Sequence, residues 1–216
     1  MTAKTPGDSA RDDLAFIKAL VAPDDTWQQQ FGTIYFAAGV CYSVQIALHL
    51  GQILGAVTNQ GLVAQVIGWG PTVVFVSLLV WIVRRNKPRQ IAGPSRAVGT
   101  VFAAVGMANI FLCISIGSIA LRQHNQTIWF IYPVVVMVLQ GMAWLVAYSL
   151  RRKAWLGLVA LGWFGVGVAM AWFIDDVMGY TIAAAVGIVC FMTIPGFYLM
   201  RLPAQGSQAS AGSRGV

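Results

Sequence analysis

Residues 154–174 read AWLGLVALGWFGVGVAMAWFI, a stretch of 21 residues that contains only apolar side chains and glycine. An α-helix rises about 1.5 Å per residue, so about 20 such residues cross the roughly 30 Å of hydrocarbon in a bilayer. The composition agrees over the whole chain: 58% of the 216 residues are hydrophobic and 10% are charged, whereas a soluble domain carries about 25% charged residues. The sequence therefore predicts an integral membrane protein.

Five further stretches are comparably long and apolar, and turn residues or charges separate them. Their apolar runs are continuous rather than alternating, which favours helices over the strands of a membrane barrel. We therefore predict an all-α polytopic fold, a six-helix bundle within residues 31–201. The predicted transmembrane helices cover residues 31–54, 62–83, 97–121, 127–150, 154–174 and 179–200.

The distribution of Lys and Arg predicts the orientation. Thirteen of the 14 lie in the N-terminal arm, the second and fourth connections and the C-terminal tail, whereas Arg122 alone lies in the other three connections. By the positive-inside rule both termini are cytoplasmic, and we expect a multi-pass protein of the cell membrane. The net charge of +7 is then explained by anionic headgroups at the cytoplasmic face, so we expect no nucleic-acid partner.

The two ends of the chain are more polar than the spans. Residues 1–30 form a cytoplasmic arm in which Ser9 caps a predicted amphipathic helix over residues 9–21, ended by Pro23. This helix is interpreted either as lying flat on the membrane surface or as docking a protein partner. Residues 202–216, rich in Gly, Ala, Ser and Gln, are predicted to form a disordered cytoplasmic tail.

The predicted spans contain no Asp, Glu, Lys or Arg, and the chain has no Glu. This pattern argues against a carboxylate proton relay, a cation site and a metalloprotease motif. His49 is the only histidine within a span, so two histidines of one chain cannot hold a haem. Cys41, Cys113 and Cys190 fall within spans without CxxC spacing and are expected to be free, buried thiols. We expect no catalytic residues, cofactor or metal.

Uncharged polar side chains are concentrated on the first predicted helix. Four of them are spaced three, four and three residues apart, which places them on one helical face. Two more, on the third and fourth spans, fall at a similar depth. We call these six residues the polar layer: Tyr42, Gln45, His49, Gln52, Asn109 and Gln140. They are interpreted either as hydrogen bonds between helices or as a solute-binding vestibule that is open to the outside and floored by Gln45, Asn109 and Gln140.

Small residues and prolines predict how the helices meet. Ala47, Gly51 and Gly55 form a small-xxx-small ridge on the first helix, where we expect another backbone to approach closely. Pro71, Pro133 and the Pro195–Gly196 pair lie inside spans. They are interpreted as kinks whose freed backbone groups are satisfied by neighbours, rather than as helix breaks that offer carbonyls to a substrate.

Three classes of function fit these patterns. The first is a small uncoupled transporter, channel or solute-binding bundle that uses the polar layer. The second is a non-catalytic regulator or complex subunit that uses the N-terminal helix and the basic loops. The third, a membrane enzyme acting on lipid or quinone, is disfavoured because no nucleophile–base pair or metal cluster can be assembled from these residues.

Overall fold

The computed structural model describes residues 25–85 and 94–202, apart from the side chains of residues 25–27 and 94–95. These residues form seven α-helices and one π-helical turn. In chain order they are α1 (Asp25–Ile53), α2 (Gly61–Arg85), α3 (Pro94–Gln123), α4 (Gln126–Arg151), α5 (Ala154–Trp172), α6 (Val177–Ile188), the π-turn (Val189–Thr193) and α7 (Ile194–Arg201).

Six helical segments are long and apolar enough to cross a membrane, and the sixth combines α6, the π-turn and α7. This confirms the predicted all-helical class and the predicted number of helices long and apolar enough to span a membrane. The first helix begins six residues earlier than predicted, at Asp25, and the fifth ends at Trp172. The predicted amphipathic helix over residues 9–21 and the predicted tail beyond residue 202 lie outside the described residues.

Helix α1 is the hub of the bundle. It packs against α2, against α3 over a short length, and against the whole of the sixth segment. The remaining contacts join α3 to α4, α4 to α5 and α5 to α6, which closes a ring of five segments. Helix α2 packs on the outside of this ring, against α1.

Helix α1 begins at the same end of the bundle at which the sixth segment ends. Gln29 Nε2 donates to the backbone oxygen of Leu202 at 2.7 Å, and Arg151 Nη1 donates to Gln28 Oε1 at 3.2 Å. We call this the basic end, because the described helix termini and the short connection between α4 and α5 place seven cations there. They are Arg84, Arg85, Arg96, Arg151, Arg152, Lys153 and Arg201.

The closest backbone approach joins α1 to the sixth segment, through glycines. A Cβ atom on Gly32 would lie 2.5 Å from the backbone nitrogen of Met200, and one on Gly196 would lie 2.5 Å from that of Phe36. A Cβ on Gly39 would lie 2.8 Å from Thr193 Cα. The two helices can therefore cross at this distance only because these three positions lack side chains.

The predicted close-packing ridge on α1 was wrong. Ala47 is exposed, and a Cβ on Gly55 would have no atom within 4 Å. A Cβ on Gly51 would meet only Val57, in the loop that follows α1. The small-residue spacing is common in apolar helices, and it does not identify which face a neighbouring helix uses.

A π-helical turn precedes Pro195, where the sequence predicted a kink. The amide of Ile194 donates to the carbonyl of Val189, five residues back, and Thr193 Oγ1 donates to the carbonyl of Ile188 at 3.3 Å. Proline has no N–H and its ring crowds the preceding helical turn. The wider π geometry accommodates Pro195 and leaves Gly196 against α1.

Aromatic side chains fill the interior of the five-segment helix ring near the basic end. Tyr35 and Phe102 each pack edge-on against Trp144, and Trp144 and Trp163 are 1% exposed. Trp144 Nε1 donates to the Tyr35 hydroxyl at 2.7 Å. The Trp163 indole also lies near this hydroxyl, but its Nε1 has no hydrogen-bond partner.

The outer surfaces of α2 and α3 are apolar and uncovered. Large side chains such as Val73 (61% exposed), Phe111 (63%) and Ile114 (64%) are exposed along both helices. Soluble monomers rarely expose contiguous apolar patches larger than a few hundred Å².

Cys190 is exposed, whereas Cys41 and Cys113 are half-buried, so the expectation that all three thiols are buried was wrong.

The glycine contact between α1 and α7 predicts a specific sensitivity to a single methyl group. We expect Gly196→Ala to lower the free energy of unfolding by about 1–3 kcal/mol, because the added Cβ overlaps the backbone of Phe36. The matched control is Gly165→Ala in α5, where a Cβ meets no atom within 4 Å. Its effect should be neutral or stabilising by up to about 1 kcal/mol. Denaturant unfolding in mild detergent measures both values, and equal losses would contradict the close packing.

Candidate functional site

Gln45, in the polar layer, is used to join two helices. Its Nε2 donates to the backbone oxygen of Gly68 in α2 at 2.7 Å. Gly68 lies in the helical turn before Pro71, next to Ile67, whose carbonyl would pair with an amide at position 71 in a regular helix. The side chain of α1 thus supplies a donor beside the proline turn of α2, and the interpretation of Pro71 as a kink satisfied by a neighbour stays a prediction.

His49 and Gln52 organise the loop that follows α1. His49 Nδ1 and Gln52 Oε1 are 2.9 Å apart, and Gln52 Nε2 donates to the backbone oxygen of Thr58 at 3.2 Å. These two hydrogen bonds connect the last turns of α1 to the segment that leads into α2. These two residues therefore have hydrogen-bond partners within the chain.

Tyr42 lies at the contact between α1 and α2. Its ring packs against Phe75 of α2 with centroids 5.8 Å apart, and its hydroxyl lies near the side chain of Thr72. Tyr132 of α4 lies in the neighbourhood of Tyr42 and Cys113. The structure therefore adds two polar side chains, Thr72 and Tyr132, to the neighbourhood of Tyr42.

Asn109 and Gln140 lie at the same level in the α3–α4 hairpin. Asn109 precedes the end of α3 at Gln123 by 14 residues, and Gln140 follows the start of α4 at Gln126 by 14 residues. Both are therefore about 21 Å from the turn. The oxygens Asn109 Oδ1 and Gln140 Oε1 are both buried and have no hydrogen-bond partner.

The unpaired oxygens distinguish Asn109 and Gln140 from the other amides of the polar layer. A buried acceptor without a donor costs about 1–3 kcal/mol, and such groups are uncommon in folded proteins. The two amides present acceptors, so a ligand that satisfies them must bring N–H or O–H donors. We call Asn109 and Gln140 the amide pair.

Two recesses on the described part of the chain lie away from the amide pair. One lies at the basic end between α1, α3, α4, α5 and α7 and has an interior volume of about 20 Å³. The other is an open depression of about 310 Å³ beside Ile119, Arg122 and Gln123. Neither is lined by a residue of the polar layer, and the predicted vestibule stays a prediction.

Two polar side chains near Tyr42 were missed in the sequence, Thr72 and Tyr132, and so was Trp163 beside Tyr35. Tyr132 follows the start of α4 by six residues, and its position gave no periodic signal of the kind seen on α1. Trp163 stands in the most apolar stretch of the chain, where an indole is expected to pack. Only the approach of neighbouring helices identifies these positions.

Metal ligation has no support in the described residues, which contain no group of three or more His, Cys, Asp or Glu side chains placed to hold an ion. Comparison with protein-family models, with curated proteins and with solved structures found no match for this chain. The function must therefore be argued from the geometry.

The hydrogen bonds divide the polar layer into two classes with opposite mutational effects. We expect Gln45→Leu to lower the free energy of unfolding by about 1 kcal/mol, because the Gly68 carbonyl loses its donor. Gln140→Leu should leave this free energy unchanged or raise it, because it removes a buried oxygen that has no partner.

The measurement is denaturant unfolding of both variants in the same detergent, with the ligand-free protein. A loss for Gln140→Leu as large as that for Gln45→Leu would contradict the division and would favour a structural role for the whole layer.

Proposed function

We propose that the chain is a multi-pass membrane protein with both termini in the cytoplasm, and that its bundle binds a small polar solute at the amide pair. The membrane location is supported by six sufficiently long apolar helices and by the uncovered apolar surfaces of α2 and α3. The orientation is supported by the cations gathered at the basic end. Binding, and not chemical conversion, is proposed, because no described cluster of side chains provides a nucleophile with a base.

The single observation that carries the solute proposal is the unpaired state of Asn109 Oδ1 and Gln140 Oε1. Functional sites often retain polar groups whose partners arrive with the ligand, at a cost to stability. Interhelical hydrogen bonding, the alternative role of such amides, accounts for Gln45 but leaves this pair without donors.

The chemistry of the pair limits the class of solute. Two amide oxygens accept hydrogen bonds without adding charge, and the six candidate spans contain no carboxylate within their apolar parts. A bare cation would therefore lack a counter-charge. The proposed ligand is an uncharged molecule with several N–H or O–H donors.

A second candidate function is a non-catalytic regulator or complex subunit. The observation that favours it is that Gln45, His49 and Gln52 use their hydrogen bonds inside the chain. In that case deletion of residues 1–26 leaves the bundle folded and abolishes the capture of a protein partner, whereas retention of an unchanged set of partners counts against it.

Orientation can be tested by thiol labelling of single-cysteine variants made after Cys41, Cys113 and Cys190 are replaced by alanine. We expect Asn59→Cys, in the α1–α2 loop, to react with a membrane-impermeant reagent in intact cells. Arg152→Cys, between α4 and α5, should react only after permeabilisation, because the basic end faces the cytoplasm. The reverse pattern would overturn the orientation.

Solute binding can be tested by native mass spectrometry in mild detergent, with urea and glycerol as probes and with co-purified molecules recorded. We expect Asn109→Leu and Gln140→Leu each to lower retention of a bound solute at least tenfold, because each removes an acceptor the ligand would satisfy. The control is Gln126→Leu, the same substitution at an exposed position of α4. Equal retention by all variants would exclude the amide pair as the site.

A further inference from the structure

The recess at the basic end is walled by aromatic rings and rimmed by polar and charged side chains. Its walls include Phe31, Phe102, Trp144 and Trp155, and its rim includes Arg151 and Lys153. The interior volume of about 20 Å³ is enough for one water or one methylene-sized group. A ligand bound here must therefore keep most of its body outside the recess.

The charges around the recess favour an anion. Arg151 and Lys153 stand on its rim, and Arg152 lies between them in the chain. Among the described residues of this end, Asp25 is the one carboxylate, at the first position of α1, whereas Asp175 and Asp176 lie in the connection at the opposite end. The basic end therefore carries seven cations against one acid in the described ranges.

The start of α5 adds to this field. Lys153 is its N-cap residue and makes no side-chain capping hydrogen bond, because an ammonium group can only donate. The positive end of the helix dipole is thus not capped by the Lys153 side chain, and it lies beside the Lys153 and Arg151 side chains. An anionic oxygen here would be attracted by both side-chain charge and helix terminus.

We propose that this recess binds an anionic phospholipid. The phosphate group lies against Lys153 and Arg151, and the glycerol and first acyl carbons cover the rings of Trp155 and Phe102. The acyl chains remain in the surrounding bilayer, which is the arrangement that a shallow recess permits. Basic pockets between membrane helices at the cytoplasmic side bind anionic headgroups by this combination of charge and apolar contact.

A free phosphate ion fits the recess less well than a lipid. A phosphate ion would pair with the cations but would make no favourable contact with the four aromatic side chains. It would also lose hydrating water where it lies against apolar surface. This inference rests on the proposed membrane location and orientation, and it is independent of the proposed solute site at the amide pair.

The test uses the full chain, delipidated in mild detergent and titrated with phosphatidylglycerol or phosphatidylcholine, with bound lipid counted by native mass spectrometry. We expect preferential retention of phosphatidylglycerol. Lys153→Gln should weaken that retention about fivefold, as expected for one cation near an anionic surface, and Lys153→Arg should restore it. The matched control is Arg84→Gln, which removes the same charge from the same end on α2, outside the recess.

Three results would overturn the proposal. They are equal retention of phosphatidylcholine, equal weakening by Lys153→Gln and Arg84→Gln, or displacement of the lipid by inorganic phosphate at the same concentration. Failure of the solute proposal would appear separately, because the Asn109→Leu variant would then retain urea or glycerol as well as the unsubstituted protein does. Failure of the orientation would appear in the labelling of Asn59→Cys and Arg152→Cys.

Discussion

The contact between α1 and the sixth segment constrains the rest of the bundle. Gly32, Gly39 and Gly196 let the two backbones approach to a distance that no other residue type allows. In the proposed membrane location there is no hydrophobic driving force between apolar helices, so close van der Waals packing must supply the attraction. Because α1 also packs against α2 and α3, this contact positions the helices on both of its other sides.

The π-turn is part of the same constraint. A regular helix through Pro195 would leave an unsatisfied carbonyl and a steric clash one turn earlier. The Ile194–Val189 hydrogen bond and the Thr193 hydroxyl compensate for this irregularity. Thr193 also lies 3.4 Å from the hydroxyl of Ser43 on α1, so the irregular turn faces the helix on which the glycines pack. Such turns are often found at functional positions in helices, but here the contacts explain it as a packing device.

The hydrogen bonds of the bundle show how similar side chains acquire different roles. Gln45 and Gln140 are the same residue type, yet one meets a backbone oxygen and the other leaves its oxygen unpaired. The difference comes from the neighbours: Gln45 of α1 reaches a backbone oxygen of α2, whereas the Gln140 oxygen on α4 meets no donor. The unpaired oxygens are the reason for proposing a ligand at the amide pair, and the hydrogen bonds of Gln45, His49 and Gln52 are the reason for assigning those residues a structural role.

The sequence by itself determined the six helical segments, their approximate ends and the asymmetric distribution of cations. These properties are local, since hydrophobic length and flanking charge can be counted along the chain. The candidate site could be predicted only as a set of polar positions at similar depth. Only the tertiary structure decided that the close crossing uses Gly32, Gly39 and Gly196 instead of Ala47, Gly51 and Gly55. It also decided that Asn109 and Gln140 are the unpaired amides. These outcomes depend on helix rotation and on which backbone atom lies opposite each side chain, and helical periodicity specifies a face without specifying its neighbour.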